Sequence, residues 1–251
     1  MHRATFPACA GQDWLRDWTY AHRGLHGCGA HGDGACENSP AAFAAAIAAG
    51  LGIECDVQAS SDGEAMVFHD WTLDRLTGES GPLRGRTAAE LEKVPLLSGG
   101  TIPRLASVLR MAGGRVPILI EIKSKRDADW KPLCRSVAKA VMRYRGAAAV
   151  MSFDPRVVRW FSRTLPDRPC GLVTGRGEKT RLAFGIERAV LLARARPTFV
   201  ACDIRDLPDP VLARLRARGM PLLTWTVRSH ALMARARRHA DAAIAEGAGL
   251  W

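Results

Sequence analysis

Eight short runs of β-branched or small apolar residues alternate with longer amphipathic stretches along a chain of 251 residues. That alternation implies successive βαβ units, eight strands is the number that closes a barrel, and the length is usual for one. Together they predict an α/β fold, a TIM-like (β/α)8 barrel with a small insertion after the second strand.

The predicted strands are Thr19–Ala21, Gly52–Gln58, Val116–Ile122, Ala148–Ser152, Gly171–Thr174, Phe199–Asp203, Leu222–Val227 and Ala242–Ala245. The helical stretches are Ser39–Ala49, Asp129–Tyr144, Pro155–Thr164, Glu178–Ala193, Pro208–Arg218 and Ser229–His239. Several open on good caps or first-turn residues, such as Ser39-Pro40, Asp154-Pro155 and Ser229. Two regions break the rhythm. From Trp71 to Gly114 the chain is too long for a simple crossover. It carries turn residues and two short helical pieces near Thr87–Lys93 and Leu105–Ala112. It reads as a rim excursion of one domain spanning residues 1–251. The stretch Gly24–Cys36, after the first strand, holds five glycines and two histidines, which places it at the end of the barrel where active sites lie.

Hydrophobic residues make up 47% and charged residues 24%, an ordinary globular composition. The net charge is +11, which invites nucleic acid, an anionic surface or a small anionic substrate as partner. The arginines are spread along helices (Arg214, Arg216, Arg218; Arg235, Arg237, Arg238) and no nucleic-acid-binding signature accompanies them. The expectation is therefore no nucleic-acid partner. Seven cysteines without a CxxC pair suit reduced thiols. The N-terminal stretch carries Asp13, Arg16 and Asp17, and the longest apolar run, Ala41–Ala49, is too short to span a bilayer. The expectation is a cytoplasmic protein without a membrane span.

Four constellations carry chemistry. Ala21-His22-Arg23-Gly24 ends the first strand and offers an acid/base beside an anion clamp. In Ile53-Glu54-Cys55-Asp56-Val57, residues two apart share a strand face. Glu54 and Asp56 therefore point together, and two inward carboxylates call for a positive partner, best a hard divalent cation or else an arginine. Cys55 alternates outward and reads as a packed apolar residue. Ile120-Glu121-Ile122-Lys123 ends the third predicted strand, with Glu121 and Lys123 on one face as a metal ligand with a phosphate partner, or as a buried ion pair. Val67-Phe68-His69-Asp70 supplies a second imidazole with a pKa near working pH. Two histidines, three carboxylates, an arginine and a lysine near the ends of three strands meet the needs of phosphodiester cleavage.

These motifs, in order, resemble the glycerophosphodiester phosphodiesterase family. The resemblance rests on His22-Arg23-Gly24, Glu37-Asn38-Ser39, Glu54-x-Asp56-Val57, Ser61-Asp62-Gly63, His69-Asp70, Leu73-x-Arg75-x-Thr77, Ile102-Pro103-x-Leu105, Glu121-Ile122-Lys123 and Ser152-Phe153, with a weaker match at Thr224-Trp225-Thr226-Val227. It implies a TIM barrel and metal-dependent hydrolysis of a small glycerophosphodiester substrate to glycerol 3-phosphate and an alcohol. It implies His22 and His69 as the acid/base pair, and Glu54, Asp56 and Glu121 as ligands of a divalent cation (Mg2+ or Ca2+). Arg23 and Lys123 would hold the phosphate. Glu37 would sit at the rim, and Trp225 would contact the glycerol, unless it merely fills the barrel. The last strand departs from the family by reading Ile244-Ala245-Glu246. The alternatives are a phospholipase-like lyase releasing a cyclic phosphate and a binding barrel without turnover.

Overall fold

The computed structural model describes residues 11–27, 34–125 and 129–251. Residues 28–33, the middle of the glycine-rich stretch, lie outside that set. The order of elements is that of a TIM-like (β/α)8 barrel: eight parallel strands joined by helices, with one short antiparallel strand added. The chain forms two compact units. Tyr20–Ala148 makes one; Ala149–Trp251, with the described N-terminal residues up to Thr19, makes the other.

In the first unit, β1 (Tyr20–Ala21) and β4 (Ile118–Ile122) flank β2 (Gly52–Ala59) as parallel neighbours. Every residue of β2 and β4 is buried, as expected of strands covered on both faces. β3 (Ala65–Val67) folds back antiparallel on the end of β2, pairing Val67 with Val57. At three residues it was too short to show any alternation in the sequence. The helices of this unit are α1 (Pro40–Ala48), α2 (Ala88–Leu91), α3 (Leu105–Ala112) and α4 (Lys131–Arg143). Ser39 caps α1 by accepting from the Ala42 amide, and Pro40 fills the first turn. Leu73, Leu83, Leu91, Leu96 and Ile102 of the excursion at 71–114 form an apolar cluster with Cys36, Met66 and Phe68.

In the second unit, β5 (Ala148–Ser152), β6 (Cys170–Thr174), β7 (Phe199–Asp203), β8 (Leu222–Val227) and β9 (Ala242–Ala245) pair successively in parallel. Helices α5 (Pro155–Thr164), α6 (Arg181–Ala195), α7 (Pro210–Ala217) and α8 (His230–His239) follow the first four of these strands. Strands β5, β7, β8 and β9 have the predicted bounds. Helix α6 begins later than the sequence suggests because Thr180 is its cap, accepting from the Ala183 amide. No helix among the described residues is long and apolar enough to cross a membrane. Cys36, Cys55, Cys134, Cys170 and Cys202 are buried free thiols.

Candidate active site

The site grows from strand register. Asp56 on β2 lies opposite Glu121 on β4, and Glu54 shares the face of Asp56. The three carboxylates are buried, and their oxygens come within 4.8 Å of one another. Burial, then the charges of Asp56 and Glu121, push the Glu54 carboxyl well above its ordinary value. Burial also raises Glu121, with Lys123 opposing and Asp56 reinforcing the shift. Asp56 goes the other way: Lys123, Arg23 and His69 outweigh burial and hold it well below the ordinary range. Cys55, between the two acids but on the other face, has its thiol pushed far up by burial, so packing is its role.

Two cations border the triad. The Lys123 ammonium is 2.9 Å from Asp56 Oδ1 and 2.7 Å from Glu121 Oε1. Arg23 follows β1 with a left-handed φ of 58°. Its amide donates to Glu54 Oε2 at 3.0 Å, its Nη1 donates to Glu37 Oε1 at 2.7 Å, and its Nε lies 3.3 Å from Asp56 Oδ2. Gly24 follows at φ 82°, where a Cβ would come within 2.9 Å of the Ala42 backbone; glycine alone fits this turn against α1. Burial opposes both cations, yet the surrounding carboxylates raise the pKa of each.

The donor set fits a divalent metal. Three buried carboxylates at this spacing strain against holding three charges, as the raised Glu54 and Glu121 record, while two cations only partly offset them. Oxygen-only ligands of this kind suit a hard ion such as Mg2+ or Ca2+.

Both histidines adjoin this cluster. His22 is buried at the end of β1, and its imidazole acts on the Glu121 carboxyl. His69 lies in the loop after β3 and contributes to the depression of Asp56. His69 Nδ1 is 2.7 Å from Asp70 Oδ1. Despite burial, hydrogen bonds from Arg75 and His69 keep Asp70 below its ordinary value, so it is an ionised acceptor and Nδ1 carries the proton. With Nδ1 engaged by Asp70, Nε2 is the ring nitrogen that Asp70 leaves open for proton exchange.

Four residues to which the sequence analysis assigned no role complete the site. Asn38, with φ 56°, donates to Asp56 Oδ2 at 2.9 Å and accepts from the Asp56 amide at 3.2 Å. Gln58 Nε2 donates to the carbonyls of Phe68, His69 and Asp70 at 3.1, 2.9 and 2.5 Å. Its place two residues beyond Asp56 on the same strand face was the available signal. Arg75 grips two carboxylates: Glu37 at 2.6 and 3.1 Å, and Asp70 at 2.6 and 3.0 Å. Asn38, Asp70 and Arg75 stood in the motifs without a role. Glu37, expected at the rim, is a bridge between Arg23 and Arg75, which hold it below its ordinary value against burial.

Thus His22, Arg23, Glu37, Glu54, Asp56, His69, Glu121 and Lys123 all belong to the first unit. Trp225 belongs to the second, on β8. Its indole Nε1 donates to the Ala201 carbonyl at 3.2 Å, and Phe153 meets it edge-on with centroids 5.5 Å apart.

The Bacillus subtilis protein YhdW is 29% identical over 231 residues, covering 86% of this chain and 88% of its own. A glycerophosphodiester phosphodiesterase of Caldanaerobacter subterraneus is 30% identical over 204 residues, covering 76% of this chain and 80% of its own. In structure the chain resembles an Oleispira antarctica phosphodiesterase, solved in complex with the product sn-glycerol-3-phosphate. The TM-score is 0.74 over 91% of this chain and 92% of that one, at 19% identity, a likeness of fold. The model of the glycerophosphoryl diester phosphodiesterase family matches residues 22–245. With nearly the whole barrel matched, the chain belongs to the glycerophosphoryl diester phosphodiesterase family.

Proposed function

We propose that this protein hydrolyses glycerophosphodiesters to glycerol 3-phosphate and an alcohol. Family membership gives the reaction class, and the observation that carries the assignment of residues is the buried triad flanked by two cations and two histidines. Glu54, Asp56 and Glu121 would hold a divalent cation, which as a Lewis acid would offset the charge gathering on the phosphoryl oxygens. Arg23 and Lys123 bind the same phosphate from the protein side. One imidazole removes a proton from the attacking hydroxyl, of water or of the glycerol C2 carbon. The other protonates the departing alkoxide. Asp70 orients His69 by fixing its tautomer, as Arg75 in turn fixes Asp70. Trp225 contacts the glycerol end of the substrate. Five buried cysteines outside any disulfide among the described residues support a reducing compartment, the cytoplasm.

The test is release of glycerol 3-phosphate from a panel of glycerophosphodiesters, with chelator and with Mg2+ or Ca2+ restored. Metal-dependent release is expected, and His22→Ala or His69→Ala should each cost on the order of 100- to 10,000-fold in turnover with the fold retained. Near-normal rates in both variants would remove the histidines from the mechanism. Accumulation of a cyclic phosphate would make the protein a lyase.

A further inference from the structure

Helix α6 is apolar on two faces. Phe184, Leu192 and Ala195 are buried against the unit, where Arg188 pairs with Asp209 at 2.9 Å. On the opposite face Leu182, Ala183, Ile186, Ala189, Val190 and Ala193 are exposed, with Leu182 at 76%, Ile186 at 61% and Val190 at 43%. At about 100° per residue they form a continuous stripe roughly 120° wide. A run of large aliphatic side chains this exposed marks an interaction surface.

The charges around the stripe identify its partner. Between residues 178 and 196 there are five cations and two acids. One cation, Arg188, is buried with Asp209, and Lys179 pairs with Glu187 at 2.5 Å. Arg181 and Arg194 are exposed at the two ends of the helix, and Arg196 follows its last residue. Helix α5 adds Arg159 and Arg163. Helix α5 packs on α6, and on it Arg159 is half-buried and Arg163 exposed. A second copy docked antiparallel on this stripe would set cationic ends against cationic ends. An anionic lipid surface meets both features at once, taking up the aliphatic stripe at its interface and neutralising the arginine rim.

We propose that the exposed face of α6, rimmed by arginines of α5 and α6, docks this protein on anionic phospholipid bilayers. The proposal is independent of the activity assigned above. The substrate class adds chemical sense, because a glycerophosphodiester is a phospholipid stripped of its acyl chains.

The experiment is co-sedimentation of the full chain with vesicles of phosphatidylcholine alone or mixed equally with phosphatidylglycerol, at low and high salt. Binding should be at least about tenfold tighter to the anionic vesicles, as electrostatic attraction requires, and should weaken with salt. The double variant Leu182→Glu/Ile186→Glu should abolish it, and Arg159→Gln/Arg163→Gln should weaken it several-fold. All four positions are surface positions, so melting curves and turnover of a soluble substrate should be unchanged. No binding, equal binding to both vesicles, or binding indifferent to Leu182→Glu/Ile186→Glu would overturn the proposal. Sedimentation of a dimer that this variant dissociates, without vesicle binding, would assign the stripe to a second copy instead.

Discussion

The two units treat buried carboxylates on their strands in opposite ways. In Tyr20–Ala148, Asp56 is ringed by Lys123, Arg23 and Asn38, all drawn from other elements. In Ala149–Trp251, Asp203 at the end of β7 is nearly as buried, but among the described residues its hydrogen-bond and ion-pair partner is its near neighbour Arg205, an exposed residue, with that residue's amide. The first arrangement concentrates charge beyond what local structure needs; the second finishes a strand and caps a turn. Burial alone does not mark a functional acid. Distant partners that leave neighbouring acids with raised pKa values do.

Substitution at the two aspartates is the strongest way to break this contrast. Asp56→Asn should abolish turnover and destabilise the fold by about 3–5 kcal/mol, because it leaves buried cations unmatched. Asp203→Asn should cost well under about 1 kcal/mol, because asparagine still accepts the Arg205 amide as a cap. Urea unfolding of both variants checks the pair; equal losses would erase the distinction.

Glu54→Gln sharpens it. The neutral amide relieves repulsion among the three acids. Activity should fall by at least about 100-fold, as when a group stabilising the transition state is lost. Stability in chelator should nevertheless hold or rise. Thermal melts with and without metal separate the two effects, and a large loss of stability in chelator would contradict a triad built for a cation.

Asp70→Asn should lower kcat by about 10- to 100-fold, the range seen when outer partners of site residues are removed, with little change in KM. The same network has an acid signature. Arg75 helps keep Glu37 and Asp70 below their ordinary values. Their contribution to stability is therefore present above the ordinary carboxylate range and is lost as pH falls through their folded values. Arg75→Met should be less stable than the parent at neutral pH, with the gap closing as the pH falls below the ordinary carboxylate range and through the depressed folded values. A gap that widens in acid would invert the assignment.

The smallest effect is expected at Trp225. Trp225→Ala should raise KM by about 3- to 10-fold, in line with an aromatic contact of about 0.5–1.5 kcal/mol, with kcat nearly unchanged. A fall in kcat alone would place the indole nearer the chemistry.

Much of this was legible because it is periodic. Alternation located all eight parallel strands, and period-two parity put Glu54 with Asp56 and turned Cys55 away. What stayed hidden depends on partners far apart in the chain. Nothing local tells that Glu37 lies between Arg23 and Arg75, that Asn38 and Asp56 exchange hydrogen bonds, or that one Gln58 amide reaches three successive carbonyls. Strand β3 escaped because three residues carry too little pattern, and its place depends on pairing with β2.

The excursion at 71–114 is more than decoration on the rim. It supplies most of an apolar cluster that also takes in Cys36, Met66 and Phe68, and it contributes Arg75. A segment whose core is largely its own can open locally before the strands do. Such opening would release Asp70 and Glu37 while the strands of the triad stay folded. Amide exchange in this segment would then report how often the assembled site comes apart, a quantity distinct from global stability and more closely tied to turnover.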